Sequence, residues 1–344
     1  MAAGGVQVRQ GAIPARRTTS GYPPRMRRLI PILVGLLAIV VAACGATGSS
    51  APSPAPVVAI GPAAASPGAS AGTGSPSVIP VIVTQQSVVG PNRFVFSFLD
   101  PQTNLPAGTP DRTASVAFIA PGETTPGTAT PATFVWAIKD VRGEYVANVD
   151  FPSAGDWKAV FITEASGKAQ EAIGVAFQVA AKGTTVAVGE PAPASKTPTA
   201  TDVGGDLRMI STDPKPDPNF YKVSVADALA RKTPFVLVFA TPAFCQSAQC
   251  GPTLDLVKSV AQTSPSSVAF INVEPYQMTW TDGRLQPVLD ANGQLQPVAS
   301  VNEWGILTEP WVFAVDRNGI IRGSFEGVIS EAELQNVVKE IAAS

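Results

Sequence analysis

The 344-residue chain contains no histidine and only three cysteines. Without an imidazole it cannot form Ser–His or Cys–His nucleophile pairs, histidine-ligated zinc or copper sites, or a histidine acid–base catalyst. Charged residues are also sparse, at 15% of the chain with a net charge of −2, so no basic surface predicts a nucleic acid partner. Any chemistry must therefore use thiols, carboxylates, hydroxyls or lysines, and we expect neither a metal nor another cofactor.

The sequence also lacks an apolar run of the roughly 20 residues that a membrane-spanning helix needs. The apolar stretch at residues 29–41 is shorter, follows Arg25, Arg27 and Arg28, and leads into Cys44. A positive flank, a short apolar core and small residues are typical of a secretory signal. The final Val-Ala-Ala-Cys resembles the lipobox of bacterial lipoproteins, which implies lipidation of Cys44 and a lipid-anchored location at the extracytoplasmic face of the cell membrane. The alternative is an ordinary signal peptide with an incidental cysteine.

Composition divides the chain into five segments. Residues 1–44 are the predicted lipoprotein signal peptide and lipobox. Residues 45–77 consist almost entirely of Ala, Pro, Ser, Gly and Thr, so we expect a disordered tether. Residues 78–181 are predicted to form an antiparallel β-sandwich, residues 182–203 a Pro/Ala/Thr-rich linker, and residues 204–344 a separate α/β domain.

The β-sandwich prediction depends on short apolar runs that Pro, Gly and Asp turn signals separate. Seven such runs indicate strands, at 78–83, 93–99, 114–119, 133–138, 144–149, 157–163 and 173–179. The sequence GEYVANVDFPSAGDW at 143–157 resembles the late strands of immunoglobulin-like modules of the YtkA type on extracytoplasmic proteins. We expect Tyr145 and Trp157 to be core residues, and the alternative role for this segment is a partner-binding surface.

From residue 204 the pattern changes to alternating helices and strands. Ser224 is a predicted helix N-cap, Ser330 and Glu333 form a predicted capping box, and the Asn-Gly pair at 318–319 predicts a hairpin. The predicted strands are 234–240, 268–273, 310–315 and 320–325, and the predicted helices are 224–231, 253–262 and 330–341.

Two of the three cysteines, Cys245 and Cys250, lie between a predicted strand and a predicted helix. Residues five apart in one regular helix are separated by about 7.5 Å of rise, whereas a disulfide needs its Cα atoms within about 7 Å. Pro252 favours a helix start near 251–252. Cys245 then lies in the loop and Cys250 at the helix entrance, where the two can pair. Helix N–H groups at this position would favour the thiolate form of Cys250.

The order strand, cysteine turn, helix, strand, proline-led hairpin and helix resembles the thioredoxin fold. The sequence WGILTEPWVFAVDRNGIIRGSFEG at 304–327 resembles thioredoxin-like proteins of the TlpA type. This resemblance covers the whole α/β segment and implies a thioredoxin-like domain at the C-terminus. It also implies that Pro310 has a cis peptide bond and approaches the active cysteines, with Thr308, Glu309 and Trp311 bordering the substrate cleft.

The resemblance implies a membrane-anchored thiol–disulfide oxidoreductase that acts on protein thiols or disulfides in the cell envelope. Its catalytic residues would be Cys245 and Cys250, together with Pro310, and which cysteine attacks is open. The chain departs from the family at three points. Four residues separate the cysteines rather than two, Val238 lies near the position of a buried acid, and Glu309 brings a carboxylate close to the thiols, which disfavours a thiolate.

Two alternatives remain for the cysteine pair. The sequence TPAFCQSAQC at 241–250 also resembles the cysteine turn of bacterioferritin-comigratory-type peroxiredoxins, with one extra residue before the first cysteine, which implies a thiol peroxidase. The Sco copper proteins, a third relative, need a histidine ligand that the chain lacks. The non-enzymatic alternative is a binding or scaffold lipoprotein with a permanent disulfide, whose short loop would contribute about 2 kcal/mol.

Overall fold

The computed structural model describes residues 75–344, so Cys44, the apolar stretch before it and most of the predicted tether lie outside the described residues. The described chain is mostly β-sheet with a few helices. Within residues 75–344, no helix is both long enough and apolar enough to cross a membrane.

The first half of the described chain forms nine strands in two sheets. The strands are β1 (Ile79–Ile82), β2 (Ser87–Val88), β3 (Gly90–Leu99), β4 (Thr113–Ile119), β5 (Thr130–Pro131), β6 (Thr133–Ile138), β7 (Arg142–Phe151), β8 (Gly155–Glu164) and β9 (Glu171–Ala180). One sheet has the order β1-β3-β7-β6, and the other has the order β2-β9-β8-β4-β5. All seven predicted strands are present, and β2 and β5 are two-residue additions.

The two sheets enclose one apolar core, which gives this half a sandwich-like form. Because side chains alternate along a strand, Phe94, Phe96 and Phe98 of β3 all point into this core and are fully buried. Tyr145 and Trp157 lie in the same core, as predicted, with 1% and 6% of their surface exposed. The rings of Phe96 and Tyr145 stack at a centroid distance of 5.6 Å.

The second half of the described chain contains a four-stranded sheet and four α-helices. Its elements are α1 (Val225–Ala230), β10 (Phe235–Phe239), α2 (Cys250–Thr263), β11 (Ala269–Val273), β12 (Met278–Thr281), β13 (Arg284–Pro287), α3 (Ala299–Trp304), β14 (Trp311–Val315), β15 (Ile321–Glu326) and α4 (Glu331–Ala343). The sheet order is β11-β10-β14-β15, with β10 and β11 parallel and the other neighbours antiparallel. Every element predicted here is present, whereas α3 and the hairpin β12-β13 were not predicted.

The predicted caps and turns of this half are confirmed. The hydroxyl of Ser224 accepts a hydrogen bond from the N–H of Asp227 at 3.1 Å and begins α1. Ser330 and Glu333 form the reciprocal capping box that begins α4. The turn at 318–319 joins β14 to β15 as an antiparallel hairpin. These local signals therefore set where the elements begin and end.

Helices cover both faces of the four-stranded sheet, which explains the uninterrupted apolar sequence of β10. Val236 and Val238 face α2 and α4 on one side of the sheet. Phe235, Leu237 and Phe239 face α1 and α3 on the other side. All five residues are fully buried, as expected for a strand that is covered on both faces.

The segment predicted as a linker, residues 182–203, runs along the second half and is held there by backbone hydrogen bonds. The N–H of Val186 donates to the carbonyl of Trp304 at 3.1 Å, and the N–H of Gly189 donates to the carbonyl of Ile321 at 2.8 Å. We call this segment the strap. Its contacts pair it with the outer edge of β15 and with the end of α3.

The two halves contact each other through the outer face of the sheet that contains β3 and β7. Val95 and Val146 on that face form a buried cluster with Val328, which lies between β15 and α4. The guanidinium of Arg93 on β3 binds both carboxylate oxygens of Glu333 on α4, at 2.9 and 3.2 Å. The sandwich therefore lies against the edge of the second half at which α4 begins.

Candidate thiol site

Cys245 and Cys250 form a disulfide at the junction between β10 and α2. Their Cα atoms are 5.9 Å apart, within the range that a disulfide requires. Helix α2 begins at Cys250, one residue before the predicted start, and Cys245 lies in the preceding turn. The chain reverses between them at Ala248, whose positive φ of 60° is unusual for a residue with a side chain. The predicted placement of the pair is therefore correct.

The two sulfur atoms differ in exposure and in their hydrogen bonds. Cys245 is half-buried, whereas Cys250 is fully buried. The backbone N–H of Cys250 points at the sulfur of Cys245 at 3.2 Å, and the hydroxyl of Ser247 lies 3.4 Å from the same sulfur. Because unpaired N–H groups at a helix N-terminus favour nearby negative charge, this geometry favours a thiolate on Cys245 rather than on Cys250.

Glu309 places a buried carboxyl group beside the disulfide. The hydroxyl of Tyr276 donates to one carboxylate oxygen, and the N–H of Gln246 donates to the other at 3.3 Å. The backbone carbonyl of Glu309 accepts a hydrogen bond from the Ser247 hydroxyl at 3.2 Å. Burial raises the pKa of Glu309 above its ordinary value. Val238 is fully buried in the apolar core, and Glu309 is the carboxyl group that lies beside the sulfurs.

The site contains three potential metal ligands. The sulfurs of Cys245 and Cys250 and a carboxylate oxygen of Glu309 all lie within 4.8 Å of one another. In the disulfide form the sulfurs are bonded to each other and cannot bind a cation. Reduction would convert the same three side chains into two thiols and a carboxyl group around one point.

The sandwich contributes side chains to the cysteine loop from strand β7. Arg142 donates to the carbonyl of Ser247 at 3.3 Å. Glu144, which is fully buried, accepts a hydrogen bond of 2.6 Å from the side-chain amide of Gln249, the residue before Cys250. Burial raises the pKa of Glu144. The loop is therefore held by both halves of the described chain.

The other two residues predicted to border the substrate cleft, Thr308 and Trp311, are associated with a cleft whose lining includes neither cysteine. The peptide bond between Glu309 and Pro310 is cis, as the resemblance implies. Trp311 lines a cleft of about 1120 Å³ between the sandwich, the strap and β15. The hydroxyl of Thr308 donates to Glu326, which lines the same cleft. Of the three predicted cleft residues, Glu309 is the one whose side chain accepts a hydrogen bond from the cysteine loop.

Glu326 should make the stability of the protein fall as the pH rises. Burial raises the pKa of Glu326 from 4.5 to about 7. Between these two values the folded protein keeps a proton that the unfolded chain has released, so the free energy of unfolding decreases with pH and levels off above about pH 7. In the unmodified chain Glu326 should lower the free energy of unfolding by at most about 3 kcal/mol as the pH rises. Glu326→Gln should lack this decrease. Urea unfolding at pH 5 and pH 8 measures this decrease.

Glu274 is the second carboxyl group whose burial raises its pKa to about 7, so the Glu326→Gln protein should keep part of the pH dependence. Glu123→Gln changes an exposed glutamate and serves as the matched control. The interpretation of Glu326 is wrong if its variant and this control lose the same free energy of unfolding between pH 5 and pH 8.

The sequence did not reveal Tyr276, Glu144 or Arg142 as neighbours of the cysteines. Tyr276 lies at the start of an insertion that has no recognisable pattern, and the other two lie on a strand predicted to belong to a separate domain. None of the three carries a local sequence signal for such a role.

No family model, curated protein or solved structure matches the chain.

Proposed function

We propose that this protein is an extracytoplasmic, lipid-anchored thiol–disulfide oxidoreductase that acts on protein thiols or disulfides of the cell envelope. The observation that carries this proposal is the unequal exposure of the two bonded sulfurs at the start of α2. An accessible Cys245 can exchange with a substrate, and a buried Cys250 can only exchange with Cys245. A disulfide that only stabilises the fold does not need one exposed and one buried sulfur.

The proposal assigns the second half of the described chain to the thioredoxin-like family. The strand order β11-β10-β14-β15 supports this assignment, as does the position of the cysteine pair between β10 and α2. The sandwich is proposed to be an immunoglobulin-like module of the YtkA type. Its contacts with the cysteine loop through Arg142 and Glu144 give it a supporting role at the site.

In the proposed reaction Cys245 is the nucleophile. Its thiolate bonds to one sulfur of a substrate disulfide, and the other substrate sulfur leaves as a thiolate. Cys250 then attacks the sulfur of Cys245, which breaks the mixed disulfide and releases the second substrate thiolate. Two electrons thus pass from the reduced pair to the substrate, and the reverse sequence oxidises a substrate dithiol.

Glu309 is positioned to accept the proton that Cys250 loses in the second step. Cys250 is buried, and its thiol must lose a proton before it can attack. A carboxyl group with a raised pKa, within 4.8 Å of both sulfurs, can accept that proton and return it to the leaving thiolate. In this proposal Glu309 takes over the part that a buried acid near Val238 would otherwise play.

A redox titration tests the proposal. The purified protein is equilibrated in glutathione or dithiothreitol buffers of defined potential, alkylated, and weighed by mass spectrometry. We expect a reversible midpoint between about −120 and −270 mV, the range of known exchange catalysts. A pair that stays oxidised below about −300 mV would instead be a structural disulfide. Consumption of hydrogen peroxide by the reduced protein without any disulfide substrate would favour the thiol peroxidase alternative.

A further inference from the structure

We propose that the reduced form of the protein binds one Zn²⁺ ion through Cys245, Cys250 and Glu309. The proposal concerns a site that exists only after the disulfide is broken. It does not depend on exchange activity, because a dithiol can bind a metal whether or not it turns over a substrate.

The donor set fits zinc better than other common metals. Zn²⁺ accepts both thiolate and carboxylate ligands, whereas Mg²⁺ and Ca²⁺ prefer oxygen ligands alone and Cu⁺ prefers thiolates. Zinc bonds of about 2.0–2.3 Å in a tetrahedral arrangement place ligand atoms roughly 3.3–3.8 Å apart. The three ligand atoms already lie within 4.8 Å of one another, so small side-chain movements would complete the set.

The carboxylate of Glu309 is oriented as a metal ligand needs to be. The Tyr276 hydroxyl and the Gln246 N–H each hold one of its oxygens, and such outer contacts typically fix the direction of a ligand. No lysine or arginine of residues 75–344 forms an ion pair with Glu309. Two thiolates beside this carboxylate would repel one another, and a divalent cation removes that repulsion.

Binding requires reduction first. A dithiol reductant transfers two electrons and two protons to the Cys245–Cys250 disulfide and is itself oxidised to a disulfide. Zn²⁺ then displaces the two thiol protons and bonds to both sulfurs, while the Glu309 carboxylate supplies the third bond. Three protein ligands leave the fourth position of a tetrahedral ion open to water. Cys245 is only half-buried, so solvent reaches at least one of the three ligand residues.

The test uses the full chain, reduced with dithiothreitol and desalted without oxygen. Zn²⁺ is titrated in competition with a chromophoric chelator, and Co²⁺ is titrated separately because its charge-transfer absorption reports bound thiolates. We expect one equivalent of either metal in the reduced protein and none in the oxidised protein. Glu309→Gln should weaken the affinity for zinc at least about tenfold. Cys245→Ser leaves one thiolate ligand, so the cobalt absorption that is typical of two bound thiolates should be lost.

Glu326→Gln is the matched control, because it removes another buried carboxyl group that does not belong to the cluster of three ligand atoms, and it should bind zinc like the unmodified chain. The proposal is overturned if reduced protein binds no zinc in slight excess of metal, or if oxidised protein binds it equally well. It is also overturned if Glu309→Gln, with unchanged circular dichroism, retains full affinity. A normal redox midpoint without zinc binding would reject this site alone and leave the proposed exchange activity standing.

Discussion

Cys250→Ser should stop turnover and leave the protein covalently joined to its substrate through Cys245. The half-buried sulfur of Cys245 can still attack a substrate disulfide. The buried residue at the start of α2 then no longer has a thiol to break the mixed disulfide. With an unfolded disulfide protein such as insulin as substrate, we expect catalysed reduction to fall to the uncatalysed rate. A stable adduct should appear on non-reducing gels.

Cys245→Ser is the matched comparison, since it removes the other half of the same disulfide. It should also reduce activity to the uncatalysed rate but give no adduct, because Cys250 is fully buried and cannot reach a substrate. Adduct formation by Cys245→Ser rather than by Cys250→Ser would reverse the assigned roles. Full activity in either variant would show that the disulfide is not the reacting group, and the exchange proposal would then fail.

The orientation of the helix N-terminus gives the physical reason for this order of attack. From the sequence, Cys250 was expected to gain most from the helix N–H groups because it lies at the helix entrance. In the folded chain its own N–H points instead at the sulfur of Cys245, at 3.2 Å. Spacing alone could place both residues correctly but could not determine which sulfur the amide faces, because that depends on the left-handed turn at Ala248.

Most elements of the fold could be predicted because their signals are local. The alternation of phenylalanines in β3, the Ser330–Glu333 capping box and the hairpin turn at 318–319 each depend on residues a few positions apart. The apolar sequence of β10 likewise required a strand covered on both faces, and the folded chain covers both. Such features need no knowledge of the rest of the molecule.

The features that were not predicted join residues far apart in the chain. Val95 and Val146 lie on the opposite face of their sheet from the sandwich core and pack against Val328 of the other half. Tyr276 reaches Glu309 across 33 positions. Nothing in the short segments around these residues encodes the partner, because burial of an apolar surface is non-directional and any suitable surface satisfies it.

The contacts of the strap could not be predicted from its composition. A Pro/Ala/Thr-rich segment has no hydrophobic period, so residues 182–203 were predicted to be a linker. The strap is held in part through backbone groups, such as the N–H of Gly189 donating to the carbonyl of Ile321, and in part through hydroxyls such as that of Ser195. Every residue except proline carries a backbone N–H, so its side chains give little sign that the segment is bound.

Trp304→Ala should destabilise the second half of the chain by about 3–5 kcal/mol, as expected for a fully buried large side chain. The indole ring is fully buried and packs against Phe313 at a centroid distance of 4.6 Å. Its N–H also donates to the hydroxyl of Ser195 in the strap at 3.1 Å, and its carbonyl receives the N–H of Val186. The truncation would therefore leave a core cavity and remove one of the two hydrogen bonds of the Ser195 hydroxyl, which also donates to Glu303.

Urea unfolding followed by far-ultraviolet circular dichroism measures this loss, because the α-helices of residues 75–344 all lie in the second half. Trp280→Ala is the matched control: the same change at a ring with 37% of its surface exposed should cost less than about 1 kcal/mol. Trp304→Phe keeps an aromatic ring but removes the bond to Ser195, so it should fall between the two. Equal losses for Trp304→Ala and Trp280→Ala would mean that the strap and α3 do not depend on the buried indole, and this account of their packing would be wrong.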